Sequence, residues 1–127
     1  MKKLLVLLIS ILISFNSYGE WTRYGENTDN DTMYIDYSKI KDNKEFVYFW
    51  EMIDNLEPSS TGRMSSKAYI QSNCKTTQSK YLTFIFYNQS MGEGEGDPYT
   101  PDDEEWFYPP PESILYDIVE SVCDYVD

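Results

Sequence analysis

Residues able to do chemistry are few in this chain. Its 127 residues include no histidine and only two cysteines, Cys74 and Cys123. Without imidazole there is no Ser–His or Cys–His nucleophile and no histidine-ligated zinc. A lysine could serve as base instead, and Ser38-Lys39-Ile40-Lys41 and Ser72-Asn73-Cys74-Lys75 both match Ser-x-x-Lys. That pattern is short, both copies fall in turn or strand-end contexts, and the companion motifs of serine–lysine enzymes are missing. Asp102–Asp103 and Glu104–Glu105 offer carboxylate pairs of the kind a glycoside hydrolase uses, but adjacent acids are ordinarily a solvated loop. In "NTDNDT", Asn27, Asp29 and Asp31 alternate as in an EF-hand, yet Thr32 stands where glycine belongs and Ser38 where the bidentate glutamate belongs. A hairpin turn fits better. In "GEGEGD", Glu93 and Glu95 would be set against any phosphate that Gly92, Gly94 and Gly96 could cradle. Glu93, Glu95 and Asp97 leave a weak calcium site open beside the plainer reading of a flexible turn. No catalytic, cofactor or metal residue is assigned, and the chain is expected not to be an enzyme.

The two thiols take their meaning from the compartment. "MKKLLVLLISILISFNSYG" has two lysines, an apolar run and then small residues, with Ser17 and Gly19 at minus three and minus one of a cleavage site. That is the layout of a secretory signal peptide over residues 1–19. The apolar run from Leu4 to Ile13 is far shorter than the roughly 20 residues a membrane span needs, so no transmembrane segment is expected after cleavage. Residues 20–127 then form one small domain. The formal charge of −12 becomes more negative once Lys2 and Lys3 are removed. Such a chain repels phosphate backbones and anionic lipid, which argues against nucleic acid and membrane-surface partners. Aromatic residues make up 17% of the sequence, enough to supply a core and argue against disorder. Two cysteines in an exported chain suggest one disulfide, Cys74 to Cys123.

The elements that would position this bond are legible. On a helical wheel over residues 113–127, Ile114, Leu115, Ile118, Val119, Val122 and Val126 share one arc with Tyr125. Asp117, Glu120, Ser121, Asp124 and Asp127 oppose them, and Cys123 sits at the stripe's edge beside Tyr116. A strand over 64–74 puts Met64, Ser66, Ala68, Ile70, Ser72 and Cys74 on one face, with Lys67, Tyr69, Gln71 and Asn73 on the other. The first face is small and ends in a cysteine, so a helix can lie close and be clipped there. Strands are also expected over 20–26 and 32–37 (a hairpin), 45–53, 81–89 and, briefly, 106–108. The 45–53 strand is apolar on both faces, Phe46, Tyr48, Trp50 and Met52 against Val47, Phe49 and Ile53, and should be central. In 81–89, Leu82, Phe84 and Phe86 are expected opposite Tyr81, Ile85 and Tyr87. Residues 38–45 read as a polar link with room for a helical turn, and 55–63 and 90–105 as loops. The fold class is α+β: one antiparallel meander of about five to six strands, with a C-terminal helix on one face, disulfide-tethered to it.

The ordered set "EWTRYGEN", "TMYIDYSKI", "VYFWEMID", "SSKAYIQSNC", "YNQSMGEGE", "EWFYPPPES" and a terminal helix ending in "VC" resembles the surface-adhesin protein E domain family of Gram-negative bacteria. The resemblance covers essentially all of residues 20–127. It implies a small antiparallel sheet with a disulfide-tethered helix, and export to the periplasm or cell surface. For the founding adhesin it implies binding of host extracellular-matrix proteins and plasminogen. The chain departs from the pattern in its acidic stretch, Glu93 to Glu105, and in "PPPES", where a shorter Pro-Ser lead-in is usual. The expected function is therefore an exported binding module for a protein partner, either a host matrix protein or a bacterial envelope protein. The alternative is a periplasmic structural or accessory protein of the same fold, and a homodimer is a further option. A helix covers only one sheet face, while the strands carry large aromatics on both parities. Tyr48, Trp50, Tyr81 and Tyr87 are the candidate partner-binding aromatics, with Glu104 and Glu105 selecting basic partners by charge.

Overall fold

The computed structural model describes residues 20–103 and 105–127. The expected signal peptide over residues 1–19 and Glu104 lie outside the described residues. Among the described residues there are seven strands: β1 (Trp21–Glu26), β2 (Thr32–Asp36), β3 (Lys41–Asn43), β4 (Phe46–Asp54), β5 (Ser65–Asn73), β6 (Ser79–Tyr87) and β7 (Asp97–Tyr99). One helix follows, α1 (Ile114–Val126). The strands form one antiparallel sheet in the order β1-β2-β4-β5-β6-β7, and β3 pairs with β4 alongside β2. This is the expected meander with the expected helix, and the doubly apolar strand, β4, is central.

The hairpin joining β1 and β2 follows from side-chain chemistry in its turn. Asn27 Oδ1 accepts from the amides of Asp29 and Asp31, both at 3.0 Å, an Asx turn that replaces backbone partners locally. Asp31 Oδ1 in turn accepts from the Leu56 amide at 2.9 Å. The side chains of Asn27 and Asp31 thus serve the backbone.

Three short features differ from the expectation. The 38–45 link does hold a helical turn, the 3-10 turn Tyr37–Lys39 capped by Asp36, but Lys41–Asn43 then turns back on β4 as a strand. Asp97–Tyr99 extends the sheet where a loop was expected. The expected 106–108 strand shrinks to a single bridge, Ser79 with Phe107.

Strand register separates two faces. Val47, Phe49 and Glu51 of β4 lie opposite Ser72, Ile70 and Ala68 of β5, and this is the face that α1 covers. Met33, Ile35, Val47, Phe49, Ala68 and Ile70 are buried there against Ile118, Val119 and Val122 of the helix. Ser113 caps α1 by accepting from the Tyr116 amide at 3.2 Å, and its hydroxyl donates to the Pro110 carbonyl at 2.7 Å. The hydroxyls of Ser72 and Ser79 meet at 2.7 Å inside this face, and Cys74 beyond them is bonded to Cys123, with Cα atoms 5.7 Å apart. Small residues keep the floor low where the helix end is clipped.

The expected parity fails at one point of β6. A bulge between Tyr69 and Ile70 of β5 pairs them with Thr83 and Tyr81, leaving Leu82 as the extra residue. Beyond it the alternation shifts by one, so Tyr81 joins Phe84 on the helix side, with ring centroids 4.9 Å apart. Tyr81 therefore does not share a face with Ile85 and Tyr87.

Candidate binding surface

The sheet face opposite α1 carries the other parity of β4, and the cross-strand pairs set its rows. Tyr48 lies opposite Gln71, Trp50 opposite Tyr69 and Met52 opposite Lys67. Tyr69 is the centre of a ring ladder: 4.8 Å to Trp50 and 6.2 Å to Tyr48. Gln71 Nε2 donates to the Tyr48 hydroxyl at 3.1 Å and fixes that ring. All three rings are half-buried. At the Tyr48 end, Trp106 stacks on Phe46 at 5.7 Å, and the Lys80 ammonium lies 4.7 Å from the Trp106 ring.

The other end is roofed by the segment after β6. In the 3-10 turn Ser90–Gly92, the Met91 amide donates to Asp54 Oδ1 at 2.8 Å and the Gly92 amide to Ser65 Oγ at 2.9 Å. Ser65 Oγ donates on to the Gln89 carbonyl at 2.6 Å. Gly96 then passes so close that a Cβ there would lie 2.5 Å from Ile85 Cγ2. Under this roof Met52 is 0% and Tyr87 7% exposed, so Tyr87 is a packing residue of the roof. The loop 55–63 turns to the opposite side, where Arg63 stacks on Phe86 at 5.8 Å and pairs with Asp97 at 2.6 Å. Of the aromatics singled out from the sequence, Tyr48 and Trp50 stand together on the open face, Tyr81 faces the helix side and Tyr87 is covered. Glu105 is exposed in the segment leading to Trp106.

Sequence reasoning missed Tyr69 and Trp21. Tyr69 was legible as the parity opposite the small face of β5, but its place between Tyr48 and Trp50 needed the β4–β5 register. Trp21 joins the face through its pairing with Asp36.

Two buried carboxyl groups are incompletely bonded. Asp36 is 1% exposed; its Oδ1 accepts from the Ser38 amide and hydroxyl, while Oδ2 has no partner among the described residues. Glu51 is 2% exposed on the helix side, and its Oε2 also has none. Burial pushes the Glu51 carboxyl up to about 7. Burial, then the charge of Glu51, pushes the Tyr81 phenol up to about 12. The serines of the two Ser-x-x-Lys stretches are hydrogen-bonded to neighbours. Ser38 donates to Asp36, and Ser72 is buried against Ser79 while Lys75 is exposed.

Over residues 21–124 the chain matches the family model described as surface-adhesin protein E. The chain belongs to that family. Solved structures of Haemophilus influenzae protein E have the same fold. Crystal form II aligns with a TM-score of 0.61 and 22% identity over 84% of this chain and 93% of that one. The structure from non-typeable H. influenzae aligns at 0.58 and 18%, over 83% and 84%. No curated protein matches the chain. In this adhesin E chain the disulfide joins the end of a central strand to the helix, as the family resemblance implied.

Proposed function

We propose that this protein is an exported bacterial binding module that holds a protein partner on its open sheet face and acts by binding rather than by catalysis. The observation that carries this reading is the ladder Tyr48–Tyr69–Trp50, half-buried on the sheet face that α1 leaves uncovered. Rigid rings offer contact area at little entropic cost, and aromatic anchors dominate the energy of protein interfaces. Membership of the surface-adhesin protein E family supports export and a role at the cell envelope. No helix among the described residues is long and apolar enough to cross a membrane. Host matrix proteins are the partners the family resemblance suggests, and a bacterial envelope protein is the alternative. Glu105 borders the Trp106 end of the ladder and would favour a basic partner there.

A pull-down with the purified protein against host-matrix proteins and against periplasmic extract tests the reading. A specific partner should be retained by the wild type and lost by Trp50→Ser, since truncating an anchor costs about 2 kcal/mol or more, roughly 30-fold in affinity. A partner bound equally by wild type and Trp50→Ser would move the interface off this face. Labelling of intact cells with an impermeant reagent separates surface display from periplasmic residence.

A further inference from the structure

Between the ladder and β1, the open face sinks into a cavity of about 230 Å³ lined by Trp21, Asp36, Lys39, Trp50, Lys67 and Ile85. Its composition is unusual for a chain of net charge −12. Two of the chain's three tryptophans wall it, and two lysines stand with a single carboxyl group. Lys67 Nζ lies 5.6 Å from the Trp21 ring and 5.0 Å from the Tyr87 ring, so among the described residues aromatic faces rather than an acid hold its charge. Asp36 is 1% exposed, with one oxygen spent on Ser38 and the other unpartnered among the described residues. A buried acceptor without a donor is costly, and a site that offers it one gains by doing so.

We propose that this cavity binds an acidic sugar, a pyranose carrying a carboxylate such as a hexuronate. The indole walls suit the apolar C–H faces of a sugar ring, the ammonium groups of Lys67 and Lys39 suit its carboxylate, and a ring hydroxyl is the donor that Asp36 lacks. Asp36 Oδ2 is closed to solvent, so this last bond requires the wall beside it to move as the sugar enters. A plain anion would leave the indoles unused, and a neutral sugar would leave the lysines unused. The cavity shares Trp50 with the proposed partner face, but its occupancy does not depend on a protein partner.

The test is a titration of the full protein with sodium galacturonate, glucose and sodium acetate, read by the three indole N–H resonances. Galacturonate should shift Trp21 and Trp50 saturably and leave Trp106, which stacks on Phe46, unmoved. Lys67→Met and the exposed Lys39→Gln should each weaken it about tenfold, and Trp50→Leu should abolish it. Lys39→Gln keeps the test valid if Lys67→Met fails to fold. Acetate shifting the same indoles as strongly as galacturonate would overturn the sugar assignment. Equal binding of glucose would overturn the lysine–carboxylate pairing. Absence of any saturable shift would overturn the site while leaving protein binding by the ladder untouched.

Discussion

Replacing Glu51 by glutamine should remove most of the pH dependence of this protein's stability near neutrality. Glu51 lies on β4 between Ile35 of β2 and Ala68 of β5, under the helix side of the sheet. It is 2% exposed with Oε2 unpartnered among the described residues. Burial raises its carboxyl from 4.5 to about 7. The folded state therefore holds the proton more tightly than the unfolded chain. Stability contributed by the protonated form is intact at low pH and falls as pH rises from the unfolded value towards the folded one. At about 1.4 kcal/mol per unit, the loss is on the order of 3 kcal/mol once the pH passes 7. Urea unfolding of wild type and Glu51→Gln across about pH 4.5 to 8 isolates the effect, because other carboxylates cancel in the difference. The variant should gain about 3 kcal/mol relative to wild type from the acid to the alkaline end. A fixed offset from the buried amide is expected at every pH and does not matter. Parallel curves, with no change in the difference, would show that Glu51 is not a neutral buried acid.

Three other outcomes follow from the same structure. Cys123→Ser should cost about 4 kcal/mol in the chain-entropy picture of a bond spanning 49 residues, and limited proteolysis should then cut within α1 before the sheet. Ser113→Ala removes the helix cap and should cost about 1 kcal/mol, seen as a lower urea midpoint with an unchanged slope. Gly96→Ala should lift the roof over Met52 and Tyr87, since its Cβ would meet Ile85 Cγ2 at 2.5 Å; amide exchange of Met91 and Gly92 should accelerate while that of β4 stays slow.

Much of the fold was legible because the long elements carry strong periods. The α1 stripe and the alternation in β4 and β5 each have one physical interpretation, and the two cysteines fall where the small face of β5 meets the helix. The strands β3 and β7 were not legible. Each is three residues long with every side chain exposed, so neither leaves an apolar period to detect. The bulge opposite Leu82 was equally silent, because a local two-to-one pairing depends on the partner strand and not on β6 itself. That bulge decided the fate of Tyr81. The binding surface was half legible: parity placed Tyr48 and Trp50 together, but only register brings Tyr69 between them and Trp21 to Asp36. The covering of Tyr87 required knowing that Ser65 and Asp54 could hold the Met91–Gly92 amides, a contact between segments 27 to 37 residues apart.

The proposed seat of a protein partner is the Tyr48–Tyr69–Trp50 face. Site-specific photocrosslinking in living cells tests it most directly. A photoreactive phenylalanine analogue replaces Tyr48 in one strain and Tyr125, 59% exposed on the helix, in another. A discrete crosslinked adduct is expected from position 48, lost when Trp50→Ser is added, and none from position 125. An adduct from position 125 alone, or one from position 48 that survives Trp50→Ser, would contradict it.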